Sequence, residues 1–255
     1  MKVKINRIKG NALSNLLTKM LRMDPQVYLT LSNEVVTSNV YLPTKDVVKS
    51  TTVNIADVFD LDQDLESPLK MGFFNGKKII EALNYFDMSA IHGHIVYETL
   101  NDENFVQYLE LQDNTLKIKL NCLHHDLGFI SMTSAQQDIA FSDTAKKFEF
   151  QMTETDLKKI ISLNTIGNSD IFSIHGDEQG IHIKGSTYDY IIDDSVTEVH
   201  EKVHVHNKQL ERIDAESYVV TVCSGAQNKI ICNSISTDTK VAINLALGVD
   251  SNTPD

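Results

Sequence analysis

The order of elements in this chain runs through twice, and that repeat restricts the available folds more than any single motif. An alternating segment, Lys2-Val3-Lys4-Ile5, leads into an amphipathic stretch from Asn11 to Arg22. Long alternating segments follow, then a short helical stretch from Gly76 to Phe86, then more alternation. After Thr144 the order recurs. Phe148-Glu149-Phe150-Gln151-Met152 leads into helical periodicity from Thr153 to Thr165, then alternation, a short helical stretch from His206 to Ile213, and alternation again. Period-2 patterning predicts strands and 3.6-residue patterning predicts helices. The expectation is an α+β chain of two tandem, β-rich units with two short helices each.

Strand signals are clear in Tyr28-Leu29-Thr30-Leu31, Thr52 to Phe59, Leu116 to Leu120, Gly180 to Lys184 and Val241 to Leu245. One apolar and one polar face per strand predicts sheets covered on one side only. The helical stretches carry apolar stripes: Leu13, Leu16, Leu17, Met20 and Leu21 in the first, Ile79, Ile80, Leu83 and Phe86 in the second, Leu157, Ile160, Ile161 and Leu163 in the third, Leu210 and Ile213 in the fourth. Asn75 is placed to cap the second helix, and Thr153 with Asp156 to form a capping box on the third. The segment from Leu123 to Thr144 fits neither repeat, and its later part reads as a connector, residues 129–146, lying as a strap on the surface between domains at 1–128 and 147–255.

The formal net charge is −12, which taken alone argues against a nucleic-acid partner. Its distribution argues otherwise. The helical windows 9–22, 76–86, 157–166 and 206–213 hold Lys9, Lys19, Arg22, Lys77, Lys78, Lys158, Lys159, Lys208 and Arg212 against Glu81 and Glu211, a net +7 that leaves −19 on the rest. Four ordinary solvated helix faces would give a similar pattern, so the segregation needs a geometric test.

Other signals set bounds. No apolar run reaches the length of a membrane span, and no apolar leader is read at the start, so a cytoplasmic protein without a membrane partner is expected. Cys122, Cys223 and Cys232 lack metal-type spacing and read as reduced thiols in strands. His200, His204 and His206 alternate around Lys202, a pattern that fits a solvated strand face better than a metal site; His92, His94, His124 and His125 read as surface residues. The acidic loop Asp60-Leu61-Asp62-Gln63-Asp64 lacks the glycine and terminal glutamate of a calcium loop. No nucleophile elbow, phosphate loop or dinucleotide fingerprint is present. No catalytic residues, cofactor or metal are expected, and a β-rich hydrolase ranks last among the readings.

Several stretches together resemble the DNA sliding clamps, of the two-domain type found in tailed bacteriophages and in proliferating cell nuclear antigen. Asn54 to Asp60 followed by Met71 to Leu83 resembles the middle of a first clamp domain. Phe148 to Lys159, then Ile181-His182-Ile183-Lys184-Gly185, resembles the start of a second. Val205-His206-Asn207-Lys208-Gln209-Leu210 leading into Tyr218 to Val222 resembles its end. The resemblance is closest to the polymerase clamps of bacteriophages and runs nearly the whole chain in element order.

That resemblance implies two sheet–helix–helix–sheet domains with four short inner helices, and a homotrimeric ring of six domains closed by heterologous edge-strand contacts. It implies a non-enzymatic processivity factor in a bacterial host's cytoplasm, encircling duplex DNA and tethering a DNA polymerase and a clamp loader. The nine basic residues above would then face the DNA. Partner peptides would dock against Leu127, Phe129, Ile130 and Met132 of the connector and Leu245, Leu247 and Val249 near the end. The alternative is a β-rich viral structural or adaptor protein whose basic helices are incidental.

Overall fold

The computed structural model describes residues 1–124, 131–193, 201–225 and 228–245. Its contacts divide the chain into two compact units, Met1–Val40 with Ser50–Met132, and Tyr41–Lys49 with Thr133–Asp255. The element order begins β1 (Lys2–Ile8), α1 (Gly10–Leu21), β2 (Val27–Leu31), β3 (Val35–Tyr41), β4 (Val47–Asn54), a 3-10 turn (Ile55–Asp57), β5 (Phe59–Leu61), β6 (Leu69–Phe73), α2 (Gly76–Leu83), β7 (His92–Leu100), β8 (Glu103–Gln112) and β9 (Lys117–Asn121). It continues with α3 (Ser134–Phe141), β10 (Lys146–Met152), α4 (Glu154–Ile166), β11 (Ile171–Asp177), β12 (Gly180–Lys184), β13 (Asp189–Asp193), β14 (Glu201–His206), α5 (Asn207–Leu210), β15 (Tyr218–Cys223), β16 (Lys229–Ser234) and β17 (Asp238–Asn244).

The repeat read from the sequence is a repeat of strand pairing. In the first unit β1 pairs with β7, β7 with β8, β8 with β9, β2 with β3 and β2 with β6. In the second, β10 pairs with β15, β15 with β16, β16 with β17, β11 with β12 and β11 with β14. All ten pairings are antiparallel, and α4 and α5 of the second unit occupy the places that α1 and α2 hold in the first. The fold is therefore α+β and β-rich, as the patterning predicts.

Each core follows from that patterning. In the first unit Val3, Ile5 and, past an irregularity in the strand register, Ile8 of β1 face inward, and Leu13, Leu16, Leu17 and Met20 of α1 sit at 0–2% exposure. Burial of side chains this size contributes about 1.5–3 kcal/mol each. In the second unit Phe148, Phe150 and Met152 of β10 are buried, and Phe150 and Met152 line a void of about 20 Å³ with Ile160 of α4 and Ile183 of β12. The lining is apolar, so a water there would find no hydrogen-bond partner. Cys223 and Cys232 are buried strand residues, and burial pushes the Cys232 thiol up to about 12.

Four differences from the sequence reading have physical causes. The stretch from Thr52 to Phe59 is not one strand: the Asn54 side chain accepts a hydrogen bond from the Ala56 amide at 2.9 Å and starts a 3-10 turn. α2 ends at Leu83 and α5 is a single turn, both shorter than their apolar stripes. An eight-residue helix, α3, lies within the polar connector; Thr133 and Gln136 cap it reciprocally, and Lys229 donates to the Ile139 and Ala140 carbonyls at 2.9 and 3.0 Å. Finally, β15 and β16 are not covered on one side only, because Val220 and Ile230 are buried on one face and Thr221 and Ile231 on the other.

Candidate nucleic-acid interface

The basic residues of α1 and α2 belong to the first unit, where the two helices pack on each other. Lys9 occupies the position before α1, with its ammonium 3.7 Å from Asp57. Arg22 is exposed and Lys19 half-buried, both off the buried stripe. On α2, the Asn75 side chain accepts from the Lys78 amide at 3.2 Å, fixing the helix start. Lys77 and Lys78 are exposed, while Ile79 and Leu83 point inward.

α4 and α5 play the same parts in the second unit. The Thr153 amide donates to Asp156 at 2.9 Å and the Asp156 amide donates back to the Thr153 hydroxyl at 3.2 Å, the predicted capping box. Glu154 and Asp156 also place negative charge at the positive end of the helix dipole. Lys158 reaches back one turn to Glu154 at 2.5 Å. Lys159 lies 4.0 Å from the centre of the Tyr190 ring, whose hydroxyl donates to Asp156 at 2.5 Å. Burial alone would raise the Asp156 carboxyl, but hydrogen bonds from Thr153 and Tyr190 and the nearby Lys159 outweigh it and hold it below its ordinary value. The same hydrogen bond pushes the Tyr190 phenol up to about 12. On and after α5, Lys208 is exposed and Arg212 half-buried.

All nine basic residues are thus at least partly open to solvent, on or beside helices whose other faces are buried. Exposed pairs such as Lys158–Glu154 contribute only a few tenths of a kcal/mol. Their ammonium groups can therefore trade a carboxylate for a phosphate at little cost. The arrangement suits diffuse attraction to a polyanion.

No family model matches the sequence, and no curated protein matches it. Solved structures do match. The proliferating cell nuclear antigen (PCNA) of A. fulgidus, in a structure with the C-terminal region of FEN-1 bound, aligns over 98% of this chain and 99% of its own, with TM-score 0.67 at 10% identity. PCNA from Entamoeba histolytica aligns over 96% and 98%, with TM-score 0.67 at 12% identity. This chain has the sliding-clamp fold. The H. pylori beta clamp, in complex with 5-chloroisatin, shares it over 100% of this chain and 65% of its own longer one, with TM-score 0.61 at 14% identity. At such identities the clamp fold is preserved by its pattern of burial and pairing, with few residues in common.

Of the residues assigned to partner docking, Met132 and Leu245 are buried, at 7% and 9% exposure. The Met132 amide donates to Asn39 and the Leu245 amide to Asn228. Leu127, Phe129, Ile130, Leu247 and Val249 lie outside the described residues, as does His200. His204 stands opposite Ser173 on the strand face that also carries His175. Burial and the nearby Lys202 lower both imidazoles, that of His175 to about 4. Among the described residues no group of three or more His, Cys, Asp or Glu side chains is placed to hold a metal. No helix among them is long and apolar enough to cross a membrane.

Proposed function

We propose that this chain is a DNA sliding clamp: a non-enzymatic processivity factor that assembles as a homotrimeric ring, encircles duplex DNA and tethers a polymerase and a clamp loader. The observation that carries the reading is the clamp fold over nearly the full chain, joined to solvent-facing basic residues on α1, α2, α4 and α5 of an otherwise acidic protein. Two units per chain make three chains the number that completes six domains. A ring must slide, so its inner charge must attract DNA without fixing it. Flexible, solvent-facing lysines such as Lys158, whose partner Glu154 is itself exposed, meet that need, while the net negative charge of the rest of the chain disfavours DNA over most of the remaining surface. A bacteriophage origin and action in a bacterial cytoplasm belong to the same proposal. So does docking of a partner's apolar peptide at the connector, around Phe129 and Ile130, by analogy with the FEN-1 segment bound to the A. fulgidus protein.

The test combines mass and retention. Light scattering should give three times the 28.6 kDa chain, and a stable monomer or dimer at micromolar concentration would remove the ring. The Lys158→Glu/Lys159→Glu variant should keep that mass and lose retention on circular DNA after loading, with the defect deepest at low salt. Retention equal to wild type would show that α4 does not face DNA.

A further inference from the structure

A cluster of lysines also lies in the first unit on a strand face, on no helix at all. β1, β7, β8 and β9 lie side by side, and their register brings Lys4, His94, Glu110 and Lys119 into one row across the four strands. Lys2 and Lys117 occupy neighbouring positions on the same face, because residues two apart on a strand point the same way. The opposite face is the core, where Val3, Ile95 and Leu109 are buried. Glu110 is held at the centre: Lys117 lies 3.1 Å from it and His94 3.3 Å. Lys117 is the main cause of its lowered carboxyl, with Lys2 and His94 adding to the effect against the opposing pull of burial. Lys119 stacks 3.7 Å from the centre of the Tyr108 ring, and Lys4 sits 4.0 Å from Asp62. Four lysines against Glu110 and Asp62 leave a positive excess on a protein of net charge −12.

The matching row of the second unit is Glu149, Thr221, Ile231 and Ala242. There Thr221, Ile231 and Ala242 are buried, and α3 lies against β17 and is capped by Lys229. One unit closes this face with its own helix; the other leaves it open and cationic.

We propose that the β1–β7–β8–β9 face is a docking surface for an acidic polypeptide segment of a partner protein. The chemistry favours a peptide over a nucleic acid. A carboxylate sits in the middle of the patch, where a phosphate chain, charged at every step, would meet it. A peptide can place acids at the Lys4 and Lys119 ends and an uncharged residue between. The Tyr108 ring is already engaged by Lys119, so it offers no free platform for a base. All the cations are lysines, which act as point charges and lack the fork that grips phosphate bidentately. Three strand spacings separate β1 from β9, about 14 Å, which matches acidic residues about four positions apart in an extended segment.

The experiment uses the full chain and a labelled peptide with two Asp-Glu pairs on either side of a Gly-Ser spacer, read by fluorescence anisotropy. Wild type should bind it at low salt. Lys4→Gln/Lys119→Gln should weaken binding about fivefold, while Lys202→Gln/Lys240→Gln, two exposed lysines of the second unit, should leave it unchanged. Circular dichroism confirms that the variants fold. The proposal is overturned if wild type does not bind, if both double variants weaken binding equally, or if a labelled thymidine oligonucleotide of the same charge binds this face more tightly. It is also overturned if Lys4→Gln/Lys119→Gln changes the solution mass, since the occupant would then be a second copy of this chain.

Discussion

The two units share a pairing order and differ in how they finish it. In the first, the turn between β8 and β9 is held by a carboxylate: Asp113 accepts from the amides of Asp87, Thr115 and Leu116 at 3.0, 2.7 and 2.8 Å. In the second, the equivalent turn after β16 is held by a hydroxyl: Ser234 accepts from the Ser236 and Thr237 amides at 3.3 and 3.2 Å and donates to Glu216 at 2.7 Å. The first unit has an eight-residue α2 where the second has one turn, α5. The first exposes the reverse face of its β1–β7–β8–β9 sheet, while the second buries the corresponding face. The fold constrains the side of the sheet that packs on the helices. Turns, helix lengths and the reverse face are left free to diverge, and the features that distinguish this chain are found there.

The largest expected effect concerns the segment that breaks the repeat. Residues 41–49 come from the first half of the sequence but belong to the second unit. They are anchored by Lys49, fully buried, 2.7 Å from Asp214. Gln209 and Asn244 add hydrogen bonds to Asp46 and the Lys45 carbonyl. Lys49→Met removes the ammonium from beside a buried carboxylate and should cost about 3–5 kcal/mol, measured by urea unfolding. Lys49→Met/Asp214→Leu should recover most of it. If the single variant lost less than about 1 kcal/mol, the pair would be solvated and the segment held by its backbone alone.

A second test asks how tightly the shared pairing is built. At Gly93 of β7 a Cβ would lie 1.8 Å from the Glu110 carbonyl oxygen, so β7 and β8 approach more closely than any side chain permits. At Gly225, in the second unit, an added Cβ would meet, among the described residues, only Ala145, at 3.4 Å, an ordinary contact. Gly93→Ala should destabilise by about 1–3 kcal/mol and weaken the Lys4–Lys119 row with it. Gly225→Ala should stay within about 0.5 kcal/mol of wild type. Equal effects would show that β7 and β8 can separate freely.

Much of this was legible in the sequence because it is local. Thr153 and Asp156 announce the start of α4 three residues apart, and the alternation of β1 and β10 states which face is inside. What escaped depends on contacts distant in the chain. α3 is polar and buries no residue, so no stripe reveals it; the lysine that caps its end lies on β16. The run Val219-Val220-Thr221-Val222-Cys223, apolar but for Thr221, signals a strand buried on both faces, and alternation was the wrong template for it. Counting charge helix by helix located the residues of α1, α2, α4 and α5. It passed over Lys2, Lys4, Lys117 and Lys119, which become one patch only once β1 and β9 share a sheet.

The smallest expected effect returns to the two turns. Hydrogen bonds from Asp87 and Thr115 outweigh burial and hold the Asp113 carboxyl at about 2, against an ordinary 3.8. A depressed carboxyl stabilises the fold fully above its unfolded value, and the contribution fades as pH falls from 3.8 towards 2. Ser234 has no such titration. Asp113→Asn should therefore be less stable than wild type at neutral pH, with the gap narrowing below pH 3.8 in parallel urea titrations. In NMR spectra recorded over the same range, the amides of Asp87, Thr115 and Leu116 should move together with the Asp113 midpoint, while those of Ser236 and Thr237 should not follow it. A gap that stayed constant down to pH 2 would mean that ionisation of this carboxylate is not linked to folding. The two turns would then differ in chemistry but not in their response to acid.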